Sequence, residues 1–227
     1  MPHSATSKTG RRLDSHHCDW LLMGPHLERL LAVAGFPLGV VPVIFADMPD
    51  ELKGLLARSN GFVAFESALH DFPSAAAHDG GVTVESWNAR DLWRTEYGRL
   101  SDDLLFFAED IFGGQFAFGP QGVVSFDPET GGVALIADSL EGWAARILED
   151  FELLTGFPLA HSWQQCHGQL PRSQRLLPKR PFVLGGDFAI DNLYPLNAVE
   201  GMQIRAELAR QIATLPEGAA VTFKVVD

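Results

Sequence analysis

Cysteine is scarce in this sequence. Only two cysteines, Cys18 and Cys166, occur among 227 residues, and they lie far apart in the chain. A disulfide framework needs more cysteines at closer and more regular spacing. The sequence therefore predicts a protein of a reducing compartment, for which the cytoplasm is the simplest assignment.

Positively charged residues are also few. The chain has 17 Lys and Arg against 29 Asp and Glu, which gives a formal net charge of −12. A negative surface repels phosphate groups, so we do not expect a nucleic-acid partner. The same charge is compatible with a basic protein partner, and it also serves solubility.

Long apolar runs are missing. The longest apolar stretch, residues 36–46, is broken by Pro37 and Pro42, and it falls well short of the roughly 18 apolar residues that a membrane span requires. The first 24 residues are polar and lack the apolar segment of a signal peptide. We therefore expect no membrane association.

Motifs that hold phosphate or carry a catalytic nucleophile are not found. The sequence has no G-x-x-x-x-G-K-[ST], and its Gly-Gly pairs do not form G-x-G-x-x-G after a strand. Ser59 lies in an Ala-Arg-Ser-Asn-Gly stretch that resembles a nucleophile elbow. That elbow must follow a strand and open a helix, whereas Ser59 ends a predicted helix. A helix C-terminus is the better interpretation.

Potential metal ligands form two small groups, which are His16, His17 and Cys18, and His161, Cys166 and His167. Neither group contains the C-x₂₋₄-C pair that many zinc sites use. Ordinary surface histidines and two free thiols are the preferred interpretation, and we expect no metal and no cofactor.

The composition present is that of a globular protein, with 46% hydrophobic and 20% charged residues. Helical periodicity predicts helices over residues 19–34, 48–59, 89–97, 140–154 and 199–215. Alternating or short apolar runs predict strands over residues 40–45, 82–87, 104–108, 115–118, 123–126, 133–137, 182–184 and 220–226. Residues 70–81 are predicted to form a loop, and residues 161–180 an irregular segment.

The strands of the middle third are joined by short turns, which is typical of an antiparallel meander. In the turn at residues 127–132, Pro128 presets φ and two glycines allow positive φ. We predict an α+β fold, a mostly antiparallel sheet with helices packed on it, and a single core with an elaborated C-terminal region. The expected organisation is a flexible tail at 1–18, a domain at 19–160, and an extension at 161–227 packed on the same core.

Phenylalanine is abundant, with 16 copies against two tyrosines. Several Phe residues fall in the predicted meander, namely Phe106, Phe107, Phe112, Phe116, Phe118 and Phe126. Side chains alternate along strands, so these rings cannot all face one layer. Either a second layer covers the far side of the sheet, or an exposed aromatic groove receives a partner.

The order of several short motifs resembles the SUKH superfamily, the Smi/Knr-type proteins, over roughly residues 27–156. The motifs are PDEL at 49–52, SNG at 59–61, FAEDIFGGQFAF at 107–118, GVVSFDPETG at 122–131 and ADSLEGW at 137–143. The resemblance implies an α+β fold and no catalytic residues. Residues 177–186 and the helix and strand after them resemble an extension seen in some bacterial members.

Many bacterial members of that superfamily are similar to immunity proteins, which neutralise a cognate toxin by binding it. We therefore expect a protein-binding module of the immunity type, with a basic toxin domain as one partner that would suit the acidic charge. A housekeeping scaffold of the same fold and a hydrolase with paired carboxylates remain as alternatives. Loops presented by a meander are common binding sites, so the candidate partner-binding residues are Glu109, Asp110, Phe112, Asp127 and Glu129.

Overall fold

The computed structural model describes residues 23–75 and 81–216. Its α-helices are α1 (Pro25–Val33), α2 (Asp50–Arg58), α3 (Val84–Trp87), α4 (Thr95–Tyr97), α5 (Leu140–Glu149), α6 (Phe151–Thr155), α7 (Phe157–His167) and α8 (Ala198–Ala213). A π-helical segment spans Arg90–Arg94, and 3-10 turns span Gly98–Ser101, Phe182–Leu184 and Ile190–Asn192. The predicted tail at 1–18, the first residues of the helix at 19–34, and the strand at 220–226 lie outside the described residues.

Eight strands are described: β1 (Phe62–Ala64), β2 (Leu69–Asp71), β3 (Leu105–Asp110), β4 (Gln115–Gly119), β5 (Gly122–Phe126), β6 (Val133–Ala137), β7 (Gln174–Pro178) and β8 (Leu193–Asn197). Strands β1 to β6 form one antiparallel meander in chain order, and β7 and β8 form a separate antiparallel ribbon. The predicted α+β fold, with helices packed on a mostly antiparallel sheet, is confirmed.

Two of the short apolar segments do not form the predicted strands. Residues 40–45 are irregular and pair with no described strand, and Pro42 within them has no N–H group to donate to a neighbouring strand. Residues 82–87 contain helix α3, not a strand. There the Thr83 side chain accepts from the Ser86 backbone N–H, and the Ser86 hydroxyl accepts from the Thr83 N–H. This capping box overrides the alternating pattern.

The C-terminal region is more regular than predicted. Residues 161–180, predicted as irregular, contain most of α7 and the whole of β7, and residues 182–184, predicted as a strand, form a 3-10 turn. The predicted boundary between residues 160 and 161 falls inside α7. A second hydrophobic cluster, which includes Ala160, Trp163 and Leu193, joins this helix to the ribbon.

The large sheet is covered on both faces, which accounts for most of its aromatic residues. On one face Trp143 of α5 packs edge-on against Phe107 with ring centroids 5.1 Å apart. On the other face Trp93 lies 5.1 Å from Phe106, and α8 packs against α4 and the π-helical segment. Met202 of α8 belongs to the same hydrophobic core, so the C-terminal helix forms part of the second layer.

Two carboxylates join the helices that cover the first face. Glu141 of α5 accepts from the backbone N–H groups of His26 and Leu27 at 2.6 and 3.1 Å, at the start of α1. Glu51 of α2 accepts from the N–H of Leu140 at 2.8 Å, at the start of α5. Each carboxylate thus caps a neighbouring helix and satisfies N–H groups that the helix itself cannot.

We expect Glu141→Gln to lower the free energy of unfolding by about 1 kcal/mol, because the cap would lose its charge at the α1 N-terminus. Burial raises the pKa of Glu141, but the N–H groups of His26 and Leu27 outweigh burial and hold the pKa below its ordinary value of 4.5. The stabilisation should therefore be present above that value and be lost as pH falls through the folded-state pKa. Urea denaturation at several pH values would measure it.

The matched control is Glu28→Gln, which removes an exposed carboxylate from the first turn of the same helix. We expect the control to change stability by less than about 0.5 kcal/mol. Equal losses in the two variants would contradict a specific capping role for Glu141.

Candidate functional site

Two turns of the large sheet lie beside each other and form one wall of a groove. Asp110 and Phe112 come from the β3–β4 turn, and Asp127 and Glu129 come from the β5–β6 turn. The groove has a volume of about 490 Å³. We call it the aromatic groove, and its remaining walls come from Ile136, Leu153, Leu154, Phe182, Val183, Phe188 and Arg205.

The β3–β4 turn is organised by the Asp110 carboxylate. Its Oδ1 accepts from the backbone N–H groups of Phe112 and Gly114, both at 2.8 Å. Burial raises the pKa of Asp110 to about 7, although these two N–H groups and the Arg205 guanidinium act in the opposite direction. Near neutral pH this carboxyl group can therefore both hold and release a proton.

The β5–β6 turn uses its acidic residues in two ways. Asp127 is exposed, and its carboxylate braces the turn by accepting from the N–H of Glu129 and the hydroxyl of Thr130, both at 2.8 Å. Glu129 is only 4% exposed. Its Oε2 accepts from the N–H of Val183 at 2.8 Å, and burial raises its pKa. Glu129 therefore ties the 182–184 turn to the sheet.

Arg205 of α8 supplies a positive charge to the groove. It is 7% exposed, and it donates from Nη1 to the carbonyl oxygen of Phe112 and from Nε to that of Gly201, both at 2.8 Å. Its positive charge opposes burial, which raises the pKa of both Asp110 and Glu129. The C-terminal helix thus helps to position the acidic turns.

Three phenylalanines give the groove its apolar wall. The rings of Phe182 and Phe188 are stacked with centroids 4.0 Å apart and planes 4° apart, and Phe112 lies edge-on to Phe182 at 5.3 Å. Phe188 is 66% exposed, and Leu153, which also lines the groove, is 76% exposed. Large exposed apolar side chains grouped around a concave surface are typical of binding sites.

Glu109, the remaining predicted site residue, does not reach the groove. It neighbours Asp110 on β3, and adjacent strand residues point to opposite faces. Its Oε1 lies 2.6 Å from Nη2 of Arg175 on β7, in an ion pair with both side chains 1% exposed. Burial raises the pKa of Glu109, but Arg175, His70 and Gln115 together outweigh burial and hold the pKa below its ordinary value.

His70 and Gln115 complete this buried cluster. Gln115 Nε2 donates to Glu109 Oε2 at 3.3 Å. Nη2 of Arg175 lies 2.5 Å from Nδ1 of His70, and burial lowers the pKa of the imidazole. The same Nδ1 lies 3.1 Å from Glu109 Oε1. An unprotonated Nδ1 accepts from the guanidinium, which has only donors, whereas a protonated Nδ1 donates to Glu109. We call His70, Glu109, Gln115 and Arg175 the ion-pair cluster.

A second cavity of about 580 Å³ lies against the ion-pair cluster, and its lining includes His70, Glu109, Arg172 and Ser173. Gly81, which directly follows residues outside the described ranges, also lines this cavity. Four of the five predicted residues line the aromatic groove and only Glu109 lines this cavity, so the aromatic groove is the candidate site.

A buried carboxylate lies outside both cavities. Asp71 at the end of β2 is 0% exposed, and neither of its carboxylate oxygens has a hydrogen-bond partner among residues 23–75 and 81–216. Burial raises its pKa well above the ordinary value of 3.8. Burial therefore favours the neutral, protonated form of this side chain.

The predicted metal candidates that are described make other contacts. His161 lies 2.9 Å from Glu66 Oε2, His167 stacks on Trp163, and Cys166 is an exposed free thiol. The described residues contain no group of three His, Cys, Asp or Glu side chains arranged to hold a metal ion. His16, His17 and Cys18 lie outside the described residues. No helix in the two described ranges is long and apolar enough to cross a membrane.

Sequence reasoning placed four of its five candidates around one groove but missed the residues that complete it. Phe182 was assigned to a strand, and Arg205 was treated only as part of an amphipathic helix. The fold brings these residues to the two turns from 53 or more positions away. No local pattern in the sequence signals such distant contacts.

The chain is similar in structure to Atu4351 from Agrobacterium tumefaciens, as seen in its crystal structure. The match has 13% sequence identity and a TM-score of 0.50, and it covers 79% of this chain and 88% of that chain. At this identity the likeness shows the fold alone. No family model matches the chain, and no curated protein matches it.

Proposed function

We propose that this protein is a binding module that recognises another protein through the aromatic groove. The observation that carries the proposal is the exposed Phe188, stacked on Phe182 beside a turn that carries acidic side chains. Aromatic anchors at the centre of a concave surface supply much of the binding energy in protein complexes. The supporting carboxylates are held by backbone N–H groups, so the surface is already formed before a partner arrives.

The charge of the groove favours a basic partner. Asp127 contributes an exposed carboxylate, and Asp110 and Glu129 add two carboxyl groups with raised pKa, against the single guanidinium of Arg205. The whole chain carries a formal charge of −12, which would speed the approach of a basic protein at low salt. A patch that combines aromatic rings with negative charge suits a segment in which apolar and basic side chains alternate.

The specific form of this function that we propose is immunity, in which the chain neutralises a cognate basic toxin domain by covering it. Support comes from the resemblance of the 107–118, 122–131 and 137–143 motifs to the SUKH superfamily and from the acidic groove. The direct experiment is to mix the purified chain with a toxin domain encoded beside it, and to measure both affinity and residual toxin activity. Failure to bind or inhibit any neighbouring toxin domain would leave a cellular protein as partner and a scaffold as the function.

We expect Phe188→Ala to weaken partner binding by about 2 kcal/mol, roughly 30-fold, because the ring is an exposed anchor in the groove. Its loss should leave the stability of the free protein nearly unchanged, since the ring is mostly solvated in the free state. Isothermal titration calorimetry against the partner would measure the loss.

Phe36→Ala is the matched control, because Phe36 is 94% exposed and is not among the residues that line the groove. It removes the same side chain and should leave affinity within about 0.5 kcal/mol of the parent. If both variants bind as tightly as the parent, the groove is not the recognition surface.

One observation favours hydrolysis as a second candidate function. Asp110, with a pKa of about 7, shares the groove with Glu129, whose pKa is also raised, and with Arg205. A carboxyl group that titrates near neutrality suits general acid–base catalysis. An activity that Asp110→Asn abolishes, with protein binding retained, would favour this second function over the first.

A further inference from the structure

The two edges of the six-stranded sheet differ in whether other backbone pairs with them. The β1 edge is covered by the chain that follows α1, where Ala34 bridges to Ala64 and the N–H of Gly35 donates to the carbonyl of Val63 at 2.8 Å. The β6 edge pairs only with β5 in the part of the chain that the structure describes. One side of its backbone is therefore left without a strand partner.

The open edge lacks most of the features that prevent edge-to-edge pairing. Strand β6 contains no charged residue and no proline, and it exposes Val133 and Leu135 by 50% and 56%. Natural edge strands usually carry a lysine, a proline or a bulge as protection. Here the register shifts at Ile136, which leaves Val133–Leu135 as an unprotected apolar stretch.

We propose that β6 is the edge to which a β-strand of the partner protein is added, next to the aromatic groove. The inference rests on the proposed protein-binding function and specifies its geometry. Ile136 of β6 lines the aromatic groove, so a strand on this edge passes beside the groove. Backbone hydrogen bonds would hold that strand, and its alternate side chains would meet the apolar surface of β6.

The charges at the ends of β6 indicate that the added strand belongs to a basic partner and not to a second copy. Asp127 lies in the turn before β6, and Asp138 directly follows it; both are exposed. In an antiparallel pair of two β6 strands, Asp138 of each copy would approach the acidic turn of the other copy. Like charges facing each other across strands destabilise pairing, whereas lysine or arginine at both ends of a foreign strand would stabilise it.

The first part of the test is hydrogen exchange of the full chain, followed by NMR. In the free protein, the amides of residues 133–137 that face away from β5 should exchange quickly, and the chain should be monomeric at all concentrations. Slow exchange of these amides in a monomer would mean that the chain's own remaining residues cover the edge, and would overturn the proposal. Slow exchange that appears together with dimer formation would show self-pairing, and would also overturn it.

The second part adds a probe of defined chemistry, an acetylated peptide of alternating valine and threonine with two lysines at each end. We expect it to bind and to slow exchange of the outward-facing β6 amides. A peptide with glutamates in place of the lysines should bind at least about tenfold more weakly, since it meets the acidic ends with like charge. Equal binding of both peptides, or exchange changes elsewhere on the protein only, would overturn the proposal.

Leu135→Lys tests the same edge in the protein. It should weaken binding of the lysine peptide and of the natural partner by at least about tenfold, through loss of the apolar contact and repulsion of the basic strand ends. Ile204→Lys is the matched control, because Ile204 is 52% exposed and lies on α8. If Leu135→Lys binds normally while Phe188→Ala does not, the strand-addition inference fails and the proposed binding function stands.

Discussion

Replacing Glu109 by glutamine should lower the free energy of unfolding by about 3–5 kcal/mol, because it leaves the Arg175 guanidinium buried without its counter-ion. Both side chains of the pair are 1% exposed, so bulk water does not screen the charge that the carboxylate now neutralises. Within the described residues Nε of Arg175 lacks a hydrogen-bond partner, and Glu109 is the carboxylate that pairs with the guanidinium. Urea denaturation followed by tryptophan fluorescence would measure the loss.

Glu149→Gln is the matched control for this variant. Glu149 forms an ion pair with Arg146 at 2.5 Å, but the two side chains are 67% and 50% exposed, so we expect a change of at most about 1 kcal/mol. If both Glu→Gln variants were equally stable, Glu109 and Arg175 would not act as a buried pair. A double variant, Glu109→Gln with Arg175→Met, should recover part of the loss, because no unpaired charge remains.

Asp71→Asn should be more stable than the parent at neutral pH, by an amount that increases with pH. The folded-state pKa of Asp71 is raised by burial above its ordinary value of 3.8. At pH values below 3.8, Asp71 is protonated in both the folded and the unfolded state, so its ionisation does not lower the free energy of unfolding. Above that pH the unfolded state ionises while the folded state keeps its proton, and stability falls by about 1.4 kcal/mol per pH unit until the folded-state pKa is reached.

Asparagine does not titrate, so the variant should lack this loss of stability. Denaturation curves of both proteins at several pH values above the isoelectric point, which is near 5.0, would show the difference in free energy of unfolding growing with pH. Asp103→Asn serves as control, since Asp103 is exposed and has a φ of 56°, which asparagine tolerates. A difference between Asp71→Asn and the parent that stays constant with pH would contradict the buried neutral acid.

The sequence was most informative where structure depends on neighbouring residues. The meander strands, the turn at 127–132 and helix α8 follow from alternation, turn chemistry and helical period, and all three are present. Prediction was wrong at residues 82–87, because the Thr83–Ser86 capping box favours a helix over the strand that alternation suggests. Prediction was also wrong at residues 161–180. The Gln, Pro and Arg residues of that segment do not show the apolar pattern by which a strand such as β7 is predicted.

In the candidate site, too, the features set by neighbouring residues were predicted and those set by distant contacts were not. Asp110 and Asp127 were predicted because both lie at turns of the meander, and such turns can be located from local sequence. Glu109 was grouped with them, yet it is buried, since its partner Arg175 lies 66 positions away on a strand that was not predicted. Asp71 was assigned to a loop, and burial of a lone carboxylate has no sequence signal at all. Contacts between distant segments decided each of these outcomes.

The position of α8 in the second layer has a consequence for the order of events during synthesis. The sheet strands β1 to β6 are complete by residue 137, but Met202 and its neighbours on α8 cover one face of that sheet only when residues 198–213 have been made. Until then the nascent chain exposes apolar surface around Phe106 and Trp93. The aromatic groove is also incomplete before Phe182, Phe188 and Arg205 emerge. Formation of the aromatic groove therefore coincides with completion of the core, and we expect a partly synthesised chain to be prone to aggregation.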